Sequence, residues 1–236
     1  MRFSMIFKID KPELPIDYRS GFISLLKASF EMACRDTYLK LYEANTLKPF
    51  TFSVYFGNKS KVKDNVVFVN AERFILNFST ASLELGTFFY NGLLKIKKEL
   101  KDYPLFEARI ALESVNLKKE MQIREDTVVF KTLSPFLVRD YIDKNKYLKP
   151  ADEGFKNQLN QIVAECSKAF LGRESYIEFK DVKTTAKPPI FHYGAPVDGI
   201  RGIFALKGDP DVLNMIYQIG LGSRRSQGFG MLEVMR

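Results

Sequence analysis

The order of strand-like and helix-like segments is the feature that most constrains how this chain can fold. In the first half, two stretches carry apolar residues at helical spacing, and β-prone runs lie before, between and after them. The strand-like runs are 2–9, 50–56, 65–69, 73–78 and 106–117, and the helical stretches are 18–33 and 82–100. The resulting order is strand, helix, β-hairpin, helix, strand, which is the ferredoxin-like arrangement.

The second half of the chain repeats this order. Its predicted strands are 127–133, 176–180, 190–193, 199–206 and 231–235, and its predicted helices are 155–170 and 209–219. Asp152 can cap the first of these helices, and Gly172 ends it. We therefore predict an α+β protein of two tandem ferredoxin-like (RRM-like) βαββαβ domains, residues 1–121 and 122–236.

Composition permits a large buried core and favours an anionic partner. The 236 residues are 46% hydrophobic, and 36 Lys and Arg against 28 Asp and Glu give a net charge of +8. A basic chain attracts nucleic acid or an anionic surface without specifying which. No apolar run is long enough to span a membrane, and charge comes too early for a secretory signal. We therefore predict a cytoplasmic protein with no membrane partner.

The two cysteines, Cys34 and Cys166, lie far apart in sequence among apolar neighbours. Reduced core thiols are expected rather than a disulfide, and zinc would lack ligands. We therefore predict neither a metal site nor another cofactor.

The segment ahead of the last strand is rich in glycine and carries two adjacent arginines. Residues 220–230 read GLGSRRSQGFG. Glycines allow positive φ and close backbone approach, while arginines and small polar side chains provide donors suited to phosphate. This composition predicts a loop that binds a polyanion. The predicted binding residues are Gly220, Gly222, Ser223, Arg224, Arg225, Ser226, Gln227, Gly228, Phe229 and Gly230.

The direction of the chain through this loop separates it from nucleotide-binding motifs. Those motifs run from a strand through a glycine-rich loop into a helix, so that phosphate meets the helix N-terminus. Here a predicted helix precedes the loop and a strand follows it. A structural alternative stays open, in which Gly220 caps the helix, residues 228–230 start a bulged strand and the arginines are solvated.

Four segments of the chain resemble one protein family. They are GLGSRRSQGFGMLEV at 220–234, GIRGIFALKGD at 199–209, VFKTLSP at 129–135 and KPFTFS at 48–53. Together they are similar to the CRISPR repeat-RNA-processing endoribonucleases, the sixth CRISPR-associated protein. The resemblance spans the whole chain and implies two tandem ferredoxin-like domains that bind the repeat of a CRISPR transcript.

The resemblance also implies a reaction, the cleavage of RNA without a metal. The ribose 2′-hydroxyl attacks the adjacent phosphate, which leaves a 2′,3′-cyclic phosphate and a 5′-hydroxyl. Such chemistry needs a base, an acid and a cation that stabilises the charged phosphorane. The family's histidine, expected shortly after the first helix, is replaced here by Tyr42. Lys48 matches the lysine that the family places against the phosphate.

Tyr42 and Lys48 are therefore the candidate catalytic residues, and three outcomes stay open. A tyrosine with a reference pKa of about 10 is a poor base near neutrality, but when protonated it can donate to a leaving oxygen. The two residues form an unconventional active site, another group serves, or the protein binds repeat RNA without cutting it. The single histidine, His192, is either an edge-strand residue or one that approaches RNA.

The expected partner is CRISPR repeat RNA. The alternative functions are a non-catalytic repeat-RNA-binding protein and a structural subunit of a CRISPR ribonucleoprotein, which would add other CRISPR effector subunits as partners. The oligomeric state stays open between a monomer and a homodimer.

Overall fold

In a computed structural model of the chain, the described residues are 1–43, 46–69, 72–186, 190–192 and 194–235. They group into two compact units. The first comprises Met1–Thr46, Val54–Lys119 and Phe191–Gly194, and the second comprises Leu47–Ser53, Glu120–Ile190 and Ala195–Arg236. The predicted domains 1–121 and 122–236 stay a prediction, because compactness alone does not test independent folding.

The first half of the chain contains three helices and eight strands among its described residues. They are β1 (Arg2–Ile9), β2 (Glu13–Pro15), α1 (Arg19–Ala33), α2 (Arg35–Tyr42), β3 (Phe50–Tyr55), β4 (Lys61–Lys63), β5 (Val66–Phe68), β6 (Arg73–Thr80), α3 (Leu83–Glu99), β7 (Tyr103–Leu105) and β8 (Ala108–Lys118). The larger sheet has the order β3-β6-β1-β8-β7, and a smaller one has the order β2-β5-β4. With α1 and α3 between the long strands, the larger sheet has the predicted ferredoxin-like topology.

Aromatic side chains dominate the core of the first unit. Phe3 and Phe7 lie on one face of β1 and are buried, and Arg2 and Ser4 of the opposite face are buried as well. Phe78 of β6 stacks on Phe89 of α3 with ring centroids 4.1 Å apart. Helices α1 and α3 pack closely because Gly92 of α3 has no side chain.

The second half contains two helices and six strands among its described residues. They are β9 (Thr127–Thr132), α4 (Phe155–Leu171), β10 (Glu178–Ala186), β11 (Ile190–His192), β12 (Ala195–Val197), β13 (Ile200–Lys207), α5 (Pro210–Ile219) and β14 (Leu232–Val234). The main sheet has the order β10-β13-β9-β14, and β11 with β12 forms a two-stranded sheet. This is the same topology as in the first half. Tyr193, predicted as a strand end, lies outside the described residues.

Helix α4 begins at Phe155, as predicted, but its cap differs from the prediction. Its N-cap is Gly154, with φ +83°, and no side chain caps it. The Asp152 carboxylate instead accepts a hydrogen bond from the backbone N–H of Lys149 at 2.7 Å. The predicted cap by Asp152 is therefore wrong, whereas Gly172 ends the helix as predicted.

The core of the second unit lies between the main sheet and helices α4 and α5. Phe204 of β13 is fully buried, and its ring lies 5.3 Å from those of Phe136 and Phe179. Leu159 of α4 and Ile216 of α5 belong to the same buried cluster. No helix in the part of the chain that the structure describes is long and apolar enough to cross a membrane.

Candidate nucleic-acid interface

The glycine-rich loop, residues 220–230, connects the end of α5 to β14. Its two ends are tied together because the backbone N–H of Leu221 donates to the carbonyl of Gly230 at 2.9 Å. A Cβ on Gly230 would lie 2.0 Å from the backbone carbonyl oxygen of Leu221, so no larger residue fits at position 230 without moving the backbone. Glycine is therefore required where the loop closes.

The loop rests on the segment that follows β9. The N–H of Gly230 donates to the carbonyl of Pro135 at 2.8 Å, and the N–H of Ser223 donates to the carbonyl of Leu137 at 2.7 Å. Gly222 has φ +81°, and a Cβ there would lie 2.3 Å from the Leu137 oxygen. Positive φ and a close backbone contact thus coincide at Gly222.

The early KPFTFS segment also contacts the loop. Thr51 belongs to the stretch Leu47–Ser53 of the second unit, and its hydroxyl donates to the carbonyl of Phe229 at 2.8 Å. Both residues are fully buried. Two of the segments that carry the family resemblance therefore meet at the loop.

Burial divides the ten predicted RNA-binding residues into two sets. The buried set is Gly220, Gly222, Arg225, Gly228, Phe229 and Gly230. The half-buried set is Ser223, Arg224, Ser226 and Gln227. Among these ten residues, only the second set has partly exposed side chains, and the first set shapes the backbone that carries them.

Arg225 points into the second unit. Its side chain is buried, and Nη1 donates to the carbonyl of Gly222 at 2.8 Å. Burial raises the pKa of the Cys166 thiol on α4, and the adjacent Arg225 guanidinium opposes that rise. The buried Arg225 side chain therefore stabilises the conformation of the loop through this hydrogen bond to Gly222.

Arg224 has a different environment from its neighbour. Its backbone is left-handed, with φ +55° and ψ +30°. The guanidinium carbon lies 5.9 Å from the centroid of the Tyr147 ring, within cation–π range, and Nη1 donates to Gln227 Oε1 at 3.4 Å. Among the described residues, its Nε has no hydrogen-bond partner. A non-glycine residue in this conformation costs about 1–2 kcal/mol, so the surrounding structure imposes it.

The candidate catalytic residues lie in different units. Tyr42 is the last residue of α2 in the first unit and is half-buried. Its ring lies 5.3 Å from that of Tyr38, and the ammonium of Lys27 lies 5.1 Å from its centroid. Lys48 belongs to the second unit and is also half-buried. The catalytic roles of Tyr42 and Lys48 stay predictions.

Sequence reasoning missed several residues of these surroundings. Leu137 and Tyr147 lie between the predicted strand 127–133 and the predicted helix 155–170, where no element was predicted, and Cys166 was predicted only as a core thiol. Lys27 is distant from Tyr42 in sequence and becomes its neighbour only because α2 folds back on α1. No local signal could have identified these contacts.

Metal ligands do not cluster among the described residues. No three His, Cys, Asp or Glu side chains within the described ranges lie together so as to hold a metal ion. The predicted absence of a metal and of other cofactors stays a prediction.

Two ferredoxin-like halves, with a glycine-rich loop before the last strand, define the fold class of this protein. A family model described as "CRISPR associated protein Cas6, C-terminal" matches residues 117–234, which is half of the chain. The chain therefore belongs to the Cas6 family of CRISPR-associated proteins.

Individual relatives agree with this assignment. A CRISPR-associated endoribonuclease Cas6 of Pyrococcus furiosus is 26% identical over 198 residues, which cover 82% of this chain and 73% of the relative. A solved structure of a Cas6-related gene product of P. furiosus matches with a TM-score of 0.87 at 18% identity, covering 100% of this chain and 98% of the other. A RAMP protein described as binding different RNA substrates matches with a TM-score of 0.84 at 20% identity over 100% of both chains. The two structural likenesses concern the fold.

Proposed function

We propose that this protein binds CRISPR repeat RNA and cleaves precursor CRISPR RNA by metal-independent attack of a 2′-hydroxyl, with a 2′,3′-cyclic phosphate as product. The observation that carries the proposal is a glycine-rich loop of the Cas6 type whose half-buried polar side chains stand on a buried, hydrogen-bonded backbone. Membership of the Cas6 family and the net charge of +8 support the choice of RNA as ligand.

RNA binding at the loop rests on phosphate contacts. Arg224 provides the charged donor, and Ser223, Ser226 and Gln227 provide neutral ones. Arg225 contributes by holding the carbonyl of Gly222, which fixes the backbone on which those donors stand. Because these donors are fixed before the ligand arrives, less ordering is lost on binding.

Cleavage assigns different roles to Tyr42 and Lys48. The 2′-oxygen forms a bond to phosphorus while the bond from phosphorus to the 5′-oxygen breaks. The Tyr42 phenol donates its proton to the leaving 5′-oxygen, since a neutral phenol is the predominant form near pH 7 for a reference pKa of about 10. The Lys48 ammonium stabilises the negative charge on the phosphorane. The proton of the attacking 2′-hydroxyl passes to a base other than these two residues.

The test is cleavage of repeat RNA in the presence of EDTA, with the product ends mapped. We expect a cyclic phosphate end, and a rate roughly 10²–10⁴-fold lower in Tyr42→Phe, the range for loss of positioned proton transfer. Lys48→Ala should also lose activity. Tyr38→Phe is the matched control, because it removes a hydroxyl from the neighbouring ring on the same helix. His192→Ala should leave the rate unchanged.

A second candidate function follows from the replacement of the family's histidine by Tyr42. In that case the protein binds repeat RNA without cutting it, or serves as a structural subunit of a CRISPR ribonucleoprotein. Tight binding with no cleavage at enzyme excess would contradict the nuclease proposal and favour the RNA-binding protein. Weak binding in isolation, with stable co-purification of other CRISPR effector subunits, would favour the structural subunit. Sedimentation with and without RNA distinguishes a monomer from a homodimer.

A further inference from the structure

A short hairpin of the second unit, residues 138–148, lies beside the glycine-rich loop. Its arms are joined because the N–H of Leu148 donates to the carbonyl of Val138 at 2.8 Å and the N–H of Asp140 donates to the carbonyl of Lys146 at 3.0 Å. A β-bridge between Arg139 and Tyr147 lies between these bonds. We refer to this element as the 138–148 hairpin.

The tip of the 138–148 hairpin is held by side-chain hydrogen bonds. Asp140 Oδ1 accepts from the N–H of Ile142 at 2.8 Å, and Arg139 Nε donates to the carbonyl of Lys144 at 2.6 Å. The N–H of Tyr141 donates to Gln158 Oε1 of α4 at 3.2 Å. The tip therefore has a defined conformation, although its side chains face solvent.

The side chains presented at this tip include apolar and basic ones, with the exposed acidic Asp143 between Ile142 and Lys144. Ile142 is 98% exposed, and Tyr141 beside it is 42% exposed. Lys144 and Lys146 follow and are also exposed. A single exposed isoleucine needs no explanation by itself. A tip of fixed conformation that presents the aliphatic side chain of Ile142 beside two lysines is suited to a ligand that has both apolar faces and negative charge.

Three contacts join the 138–148 hairpin, with the residue before it, to the glycine-rich loop. The backbone N–H of Arg139 donates to Ser223 Oγ at 3.4 Å, and Leu137, just before the hairpin, forms a β-bridge with Ser223. Tyr147 of the hairpin lies under the Arg224 guanidinium. The contacts between the 138–148 hairpin and the glycine-rich loop therefore fix both the conformation of Arg224 and the position of the hairpin tip.

We propose that the 138–148 hairpin is a second RNA-contacting element, in which Ile142 packs against the nucleobase of an unpaired nucleotide and Lys144 and Lys146 contact phosphates of the same strand. The inference rests on the proposed repeat-RNA binding at the glycine-rich loop. Single-stranded RNA offers both an apolar base face and a phosphate charge within one nucleotide. Apolar side chains that insert beside bases are an established means of fixing a nucleic-acid strand.

The first experiment measures binding of repeat RNA to Ile142→Ser. Loss of the packed aliphatic side chain should raise Kd by about 5–30-fold, because only part of the isoleucine would be buried by one base. The dependence of Kd on salt should not change, since no charge is removed. Leu83→Ser is the matched control, because Leu83 is 71% exposed on α3 of the first unit. Its affinity should equal that of the unsubstituted protein.

A second experiment removes positive charge from the hairpin tip, and a third removes single bases from the repeat RNA. The double variant Lys144→Ala, Lys146→Ala should reduce the slope of log K against log salt by about 1.4, at roughly 0.7 for each single-strand phosphate contact. In a series of repeat RNAs with one abasic nucleotide each, the unsubstituted protein should lose affinity at one position where Ile142→Ser loses none. Such a loss identifies the base that Ile142 contacts.

Three results would overturn the inference. If Ile142→Ser binds normally while Arg224→Ala binds weakly, the hairpin has no role and the proposed function stands. If the unsubstituted protein does not bind repeat RNA, the proposed function and the inference fail together. If Ile142→Ser alters the mass in light scattering but not the affinity for RNA, the tip contacts a second copy of the chain.

Discussion

The substitution Gly222→Ala measures how firmly the glycine-rich loop is held. Gly222 has φ +81°, where an alanine costs about 1–2 kcal/mol. The new Cβ would also lie 2.3 Å from the Leu137 oxygen, so the two backbones must separate. Separation breaks the 2.7 Å bond from the N–H of Ser223 to that oxygen, which adds about 1–3 kcal/mol if its groups stay buried. We expect a total loss of about 2–5 kcal/mol.

Gly172→Ala is the matched control for this prediction. Gly172 has φ +74° at the end of α4, but an added Cβ there has nothing within 4 Å. It should therefore cost only the backbone term of about 1–2 kcal/mol. The difference between the two variants isolates the close approach of Gly222 to Leu137.

The assay is urea unfolding followed by circular dichroism, because the chain contains no tryptophan. Hydrogen exchange at the Ser223 amide then locates the effect. Exchange should be faster in Gly222→Ala and unchanged in Gly172→Ala. Equal urea midpoints for the two variants, with equal protection of Ser223, would refute the proposed close packing of the loop.

Two further predictions concern the helices. The pKa of Asp209 is lowered chiefly by the hydrogen bond from the backbone N–H of Asp211 and next by the Arg173 side chain. The Asp209 carboxylate therefore stabilises the folded state above pH ~4, and this stabilisation is lost as the pH falls through the lowered pKa of Asp209. The melting temperature of Asp209→Ala should therefore lie below that of the unsubstituted protein at pH 7, with a gap that narrows in acid; a constant gap would contradict this. Gly92→Ala places a Cβ 1.8 Å from the Ser29 carbonyl oxygen and should cost about 1–3 kcal/mol by overpacking α1 against α3, so an unchanged thermal midpoint would contradict that packing.

The order of elements was predictable from sequence because the signal is local. The spacing of apolar residues within a segment shows which of its faces is buried, and that spacing distinguishes a helix from a strand. Both halves of the chain contain enough apolar residues for this pattern to be clear. The ferredoxin-like topology followed from that order and is confirmed. The first residue of α4 was also predicted, but its cap was not, because the Asp152 carboxylate accepts a hydrogen bond from the N–H of Lys149 and leaves Gly154 as the N-cap.

The composition of residues 220–230 determined by itself that this chain has a loop with tight backbone approaches. Its four glycines, between a helix and a strand, permit the positive φ that all four adopt, whereas the positive φ of Arg224 could not be read from composition. The same composition also excluded the nucleotide-binding motifs, since their order of elements is the reverse.

Only the tertiary structure decided what the two adjacent arginines do. In sequence Arg224 and Arg225 are equivalent donors, and both were predicted to bind RNA. In the folded unit, Arg225 is buried against the carbonyl of Gly222, whereas Arg224 lies half-exposed over the ring of Tyr147. The physical reason is that successive residues of a turn point in different directions, and burial depends on which distant segments pack on each side.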